Sequence, residues 1–310
     1  MVALAAVFVI RRIPKLAAVG SLVVGVHWEW LLAGGAAEAL SILSLSLLQQ
    51  RLIDATGTAV SFPRMIPITL ASNAVAMSIP AGVLVAEGYV FRQYRRVGAS
   101  RVGAAWAELS AGAIAFAALT LVAFVGSVVV GGELRDILVG PLAIVMVGAA
   151  LAALLFQRTE LLGKLVDRAI RLTQRHAPDS IQTRLYRAQK AVAEMKDIRP
   201  EPRVWALGAS AAVANWILDT FVLASAILAI GIHVPWSSLL VVYAGAQLLA
   251  ELPITPGGLG IVEGGLVTML ARSHLPAAPA TAAVVLYRGL SFWLLVAVGW
   301  VAAARLRASE

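Results

Sequence analysis

The sequence predicts an all-α polytopic membrane protein made of two inverted repeats, each with a broken re-entrant helical hairpin. Three observations carry this. Hydrophobic residues make up 60% of the 310, charged residues only 14%, and the mean hydropathy is +0.86; a soluble domain holds roughly 45–50% apolar and about 25% charged residues. Apolar runs near the ~20 residues that cross ~30 Å of hydrocarbon recur along the chain. A nine-residue pattern with Pro, Gly and Glu in register occurs twice, 176 positions apart. This composition excludes a soluble globular protein, a disordered chain and a nucleic-acid binder. The absence of cysteine excludes disulfides, thiolate metal sites and cysteine nucleophiles.

Taken in order, Met1–Ile10 is too short to cross, at about 15 Å if helical. It lacks the basic start and small-residue cleavage site of a secretory signal, and it reads as part of a first helix. Leu16–Val26 reads as interfacial. Trp28–Leu48 is the first full span, with Trp28 and Trp30 in the interfacial belt. Met65–Ile79 is broken at Pro80-Ala81-Gly82 and resumes as Val83–Phe91. Neither piece crosses comfortably, and together they read as a re-entrant hairpin. Gly103–Val130 and Ile137–Phe156 are full spans. Residues 157–203 hold 11 Lys or Arg and 6 Asp or Glu, with apolar positions at helical spacing. They read as two amphipathic helices with basic faces against the bundle or anionic lipid; a solvated connector is the alternative. Val204–Ile230 spans again. Leu239–Leu252 is broken at Pro253 and Pro256-Gly257-Gly258, Leu259–Ala271 is short, and Ala280–Ala304 is the last span.

Pro80–Gly88 aligns without gaps to Pro256–Gly264, which brings Glu87 into register with Glu263. The halves therefore cover 28–130 and 204–306, with the linking span 137–156 between them. One linking crossing gives the halves opposite topology. If each hairpin enters and leaves on one side, 19 of the 25 cations fall on one face, and that face is expected to be cytoplasmic, with both termini. Inverted repeats with broken helices meeting near the midplane characterise transporters.

Three stretches carry a family resemblance: Asn215-Trp216-Ile217-Leu218-Asp219, Leu252-Pro253-Ile254-Thr255-Pro256-Gly257-Gly258-Leu259-Gly260-Ile261-Val262-Glu263, and Leu286-Tyr287-Arg288-Gly289-Leu290-Ser291-Phe292-Trp293. Ser78–Gly82 fits as well. The chain resembles the lysylphosphatidylglycerol synthase/flippase transmembrane-domain family over nearly its whole length. The resemblance implies a multi-pass protein of the bacterial cytoplasmic membrane that flips lipids. In bifunctional members a soluble synthase domain makes the aminoacylated lipid. The sequence ends at Glu310, just after the last span, so the expectation is a stand-alone member without aminoacyl transfer.

Ionisable groups inside spans are costly, and their default reading is functional. Here they are Glu38, Glu87, Glu108, Asp219, Glu251, Glu263 and Arg288. Six acids against one base suit a cationic headgroup, or carboxyls that exchange protons. The substrate-binding candidates are Glu263, Arg288, Glu251, Asp219, Asn215, Tyr287, Glu87 and Glu108. Helix-to-helix hydrogen bonding is the alternative role for each, and snorkelling is another for Glu87. Arg288 holds a lipid phosphodiester or neutralises a carboxylate. An unpaired guanidinium at that depth is expensive, so a partner is expected: Glu108 across the repeat axis, or Glu263 or Glu251 within the second half. Pro80, Gly82, Pro253, Pro256, Gly257 and Gly258 are the expected hairpin breaks.

No His-Glu-x-x-His, Gly-x-Ser-x-Gly or phosphate-loop pattern occurs. No catalytic residue, metal site or cofactor is expected. The leading function is a lipid translocase with a membrane lipid as substrate. A scaffold that recruits a cytoplasmic lipid-modifying enzyme through residues 157–203 is one alternative, and an ion or small-solute channel is another. No nucleic-acid partner is expected; a homo-oligomer is compatible with the sequence.

Overall fold

The computed structural model describes residues 25–130, 198–250 and 255–308, with isolated positions between 139 and 195. The start of the first helix, most of the linking span 137–156, most of the basic segment 157–203, and Glu251 and Pro253 lie outside the described residues. Among the described residues every regular element is a helix. In chain order these are α1 (Trp28–Asp54), α2 (Phe62–Ser78), α3 (Gly82–Arg96), α4 (Arg101–Val130), α5 (Pro202–Ala229), α6 (Trp236–Ala250), a 3-10 turn at Pro256–Gly258, α7 (Ile261–Arg272), α8 (Ala277–Arg288), a π-helical turn at Gly289–Leu294, and α9 (Leu295–Ala308). Among the described residues, four helical stretches are long and apolar enough to cross a membrane: α1, α4, α5 and the continuous run from α8 to α9.

Several elements outrun the apolar stretches that signal them. α1 continues six residues past Leu48 through Gln49, Gln50 and Arg51, because Leu52 and Ile53 beyond them are wholly buried. Pro63 suits the first turn of α2, where its missing N–H has no helical partner anyway. α3 extends through Arg95 and Arg96, which complement the negative end of the helix dipole. At 17 and 15 residues, α2 and α3 are about 25 and 22 Å long, short of a full crossing. They pack on each other, and Met65 and Ile68 near the start of α2 share a core cluster with Val90 and Tyr94 near the end of α3.

The two halves interlock. α1 lies along α5, α2 against α9, and α4 against α6. α1 and α5 run antiparallel: the His27 amide donates to the Ala229 carbonyl, Ser41 bonds Asn215, and Leu48 meets Gly208. Small residues allow these close approaches, as is usual where lipid supplies no hydrophobic drive. At Gly126 an added Cβ would sit 2.7 Å from the Val241 backbone, and at Gly299 it would sit 2.3 Å from the Leu70 carbonyl oxygen. The indole of Trp300 donates to the Ser78 hydroxyl at 3.0 Å and ties α9 to the end of α2.

Candidate functional site

A cavity of about 340 Å³ lies between the halves, with polar side chains from α1, α2, α3, α4, α5, α6 and α8 on its wall. Its ionisable groups are Glu38, Glu87, Glu108, Asp219, Tyr287 and Arg288. Glu38 and Glu108 are buried, as is Arg288. Buried polar atoms normally find partners, yet Glu38 Oε2, Glu108 Oε2 and Asp219 Oδ1, all on residues of this wall, have none among the described residues. The cavity is therefore rich in unsatisfied acceptors. Gln49, Asn73, Asn215 and Gln247 add neutral polar groups.

The second half supplies a rigid corner. Gly257 has φ 52°, which admits glycine readily. Any Cβ there would fall 2.4 Å from the Phe292 ring. Arg288 holds this turn: its Nη2 donates to the Gly257 carbonyl at 2.9 Å, and its Nε donates to Glu263 Oε1 at 2.6 Å. The guanidinium carbon sits 4.3 Å from the Phe292 ring centre, a cation–π distance. The π-helical turn that follows Arg288 presents both Phe292 and Ser291 to this region.

Glu263 departs from the position expected of a headgroup-reading residue. It lies in the first turn of α7, and its Oε2 accepts the Gly260 amide at 2.6 Å. Both carboxylate oxygens are thus engaged, one at the helix start and one on Arg288, and Glu263 stands behind the cavity wall. The carboxylate partner expected for Arg288 is this one, from the same half of the chain.

Asp219 and Asn215 share one face of α5 but do different things. Asn215 Nδ2 donates to the Ser41 hydroxyl at 2.6 Å and joins α5 to α1. Asp219 Oδ2 accepts from the Tyr243 hydroxyl at 2.6 Å, from Gln247 Nε2 at 3.1 Å and from the Tyr287 hydroxyl at 3.3 Å. Tyr243, Gln247 and Ser41 were missed in the sequence. The signal for the first two was a polar pair at i and i+4 in an otherwise apolar helix. Glu87 of α3 and Glu108 of α4 both line the cavity.

The cavity reaches the outer surface through apolar residues. Val83 and Phe116 line it, and each is exposed, at 46% and 39%. Phe116 lies midway along α4, so this opening is at mid-depth of a spanning helix. Beside it, Gly112 also lines the wall, and a Cβ added there would meet nothing within 4 Å. Among the described residues, no group of three or more His, Asp or Glu side chains is arranged to hold a metal ion.

Fold and site together define a polytopic helical membrane protein with an acid-lined cavity between two interlocked halves. The chain belongs to the family described as lysylphosphatidylglycerol synthase TM region, which matches residues 1–299. It is also similar to two UPF0104 membrane proteins of Methanothermobacter thermautotrophicus. One is 35% identical over 101 residues, 33% of this chain and 29% of the relative. The other is 28% identical over 105 residues, 34% of this chain and 31% of the relative. The match thus spans less than a third of either relative's length.

Proposed function

We propose that this protein translocates a polar lipid between the leaflets of the cytoplasmic membrane, and performs no chemistry on it. The observation that carries the reading is the union of a polar cavity with an apolar mouth at mid-span, between Val83 and Phe116. Moving a headgroup through hydrocarbon leaves polar groups without partners, at several kcal/mol or more. A groove that is polar within and open sideways to lipid lets the headgroup cross while the acyl chains stay in the bilayer. A channel has no need of such a mouth.

Two inverted repeats supply the means of alternating exposure. Under the 176-residue offset α1 becomes α5, α2 becomes α6, and α4 becomes the α8–α9 run. The contact of α2 with α9 then becomes that of α6 with α4, and both are present. The antiparallel course of α1 and α5, which are equivalent helices, is what an inverted repeat requires. In this reading α2–α3 and α6–α7 are re-entrant hairpins whose tips meet at the cavity; an added Cβ at Gly257 would lie 3.1 Å from the Met77 backbone. The cation-rich face, with Arg95 and Arg96, is cytoplasmic.

The test is leaflet exchange of acyl-labelled phospholipids in vesicles that contain the purified chain. Gly112→Trp fills the mouth without touching the packed core. Exchange above protein-free vesicles that falls in the Gly112→Trp protein supports the reading. Exchange unaffected by Gly112→Trp overturns the route, and no exchange of any lipid overturns the function.

A further inference from the structure

Most hydrogen-bond donors on the cavity wall are already committed to the protein. The Tyr243 hydroxyl beside the cavity and, on its wall, the Tyr287 hydroxyl and Gln247 Nε2 all donate to Asp219 Oδ2. Asn215 Nδ2 donates to the Ser41 hydroxyl and to the Ser41 carbonyl. Arg288 gives Nε to Glu263 and Nη2 to the Gly257 carbonyl. Gln49 is an exception: its Oε1 accepts from Thr69 at 2.6 Å, which leaves its amide nitrogen to donate. It stands three turns from Glu38 along α1.

The acceptors are less committed. Glu38 and Glu108 are each more than nine-tenths buried, and each has an Oε2 with no partner among the described residues; Asp219 Oδ1 is in the same position. The three carboxyls come from α1, α4 and α5 and line one cavity. A buried acceptor left without a donor is costly. The repeat does not demand these acids. Under the 176-residue offset Glu38 becomes Ala214, Glu108 becomes Val284, and Asp219 becomes Leu43. The duplicated architecture therefore forms with apolar residues at the equivalent places, and the three acids serve something particular to this cavity.

We infer that Glu38, Glu108 and Asp219 select the transported lipid by the N–H or O–H donors of its headgroup, an ammonium or a polyol, and reject headgroups that only accept; this rests on the translocation reading above. The selection is by hydrogen bonding and not by positive charge alone. A donor-bearing headgroup completes the three carboxyls as it enters. A quaternary ammonium of the same charge leaves them as they stand, and a site built for donors penalises a ligand that lacks them.

The experiment measures initial leaflet exchange of trace acyl-labelled probes by the purified full chain in phosphatidylcholine vesicles. One set of probes is phosphatidylethanolamine with its mono- and dimethylated forms and phosphatidylcholine. Along that series methyl groups replace N–H donors one by one while the cationic charge is kept. The other set is phosphatidylglycerol and a diglucosyl diacylglycerol, which carry O–H donors and no cation. The fastest donor-bearing probe should outpace phosphatidylcholine about tenfold or more, the worth of one charge-assisted hydrogen bond. Exchange of the amine set alone identifies the ammonium as the group read, exchange of the second set alone identifies the hydroxyl, and exchange of both identifies either donor. Glu38→Gln and, separately, Glu108→Gln should narrow the ratio about fivefold, because a neutral amide oxygen accepts more weakly than a carboxylate. The wild-type series needs no variant, so it decides the matter even where a variant fails to fold. Phosphatidylcholine that exchanges as fast as the best donor-bearing probe overturns donor selection and leaves translocation standing. A ratio unchanged in both folded variants overturns the role of these carboxyls. No exchange of any probe removes the translocation reading, and the selection falls with it.

Discussion

Ala81 and Gly257 hold the same left-handed backbone, with φ 53° and ψ 27° at the first and φ 52° and ψ 28° at the second. They stand 176 residues apart, one position after the proline of the first break and one after that of the second. A shared rare conformation at matched positions is a more demanding coincidence than shared hydrophobicity. The match is confined to that residue: Gly258 and Gly260 are also left-handed, whereas their equivalents Gly82 and Leu84 already lie in α3. The tolerance of Ala81 and Gly257 differs. The methyl of Ala81 already sits in place, whereas a methyl at Gly257 would collide with Phe292.

Substitutions at these two positions should therefore differ in cost. Ala81→Gly relieves a left-handed alanine, costs some chain entropy, and should change stability by no more than about 1 kcal/mol in either direction. Gly257→Ala drives a methyl against Phe292 and should lower stability by about 1–3 kcal/mol. Thermal unfolding in detergent, with both variants beside wild type, measures this.

Arg288 and Glu263 should behave as one unit. Removal of Glu263 strands a buried guanidinium and removal of Arg288 a quarter-exposed carboxylate, with an expected loss of about 1–3 kcal/mol for Arg288→Met. Glu263→Gln should cost less, because the amide oxygen still accepts one hydrogen bond. In a double-mutant cycle the combined loss should fall well short of additivity. Additive losses would dissolve the pair.

Asp219 is the shared acceptor of two tyrosines and a glutamine. Asp219→Leu should leave those donors short of a partner and cost about 1–3 kcal/mol. Asp219→Asn should cost less, since its carbonyl oxygen accepts. Melting temperatures of the two variants separate them, and equal values would indicate that the network is incidental.

Topology has a direct check, since the chain has no native cysteine. Single cysteines at Arg95 and at Arg272 should react with an impermeant maleimide from opposite faces of the membrane. Labelling from the same face would end the inverted-repeat reading.

How much the sequence disclosed depends on the range of the interaction that set each feature. The breaks at Pro80 and Pro256 were legible because proline and glycine act within a few residues. The Arg288–Glu263 pair was legible because a lone cation in a span demands a carboxylate, and Glu263 lies 25 residues away in chain order. Helix ends were misjudged by up to six residues, because hydropathy registers Gln49 and Arg51 as an ending while α1 ignores it to bury Ile53. The inward turn of Glu87, the seat of Glu38 on the cavity and the Tyr243–Gln247 network depend on how α1, α4, α5 and α6 assemble, and nothing local announces them. Glu263, a substrate-binding candidate and an expected Arg288 partner from sequence, also bonds the Gly260 amide, a role set by where α7 begins.

The interlocking of the halves has a consequence for biosynthesis. Ser41 bonds Asn215 across 174 residues of chain. At a synthesis rate of about 5–20 residues per second, α1 waits some ~10–30 s in the bilayer before α5 exists. For that interval Glu38, Ser41 and Gln49 face lipid or an insertion machinery in place of their final neighbours. A nascent chain that stalls between α4 and α5 is therefore a membrane protein with its polar seam exposed, and such a seam invites capture by chaperones, by proteases, or by the second half of another copy.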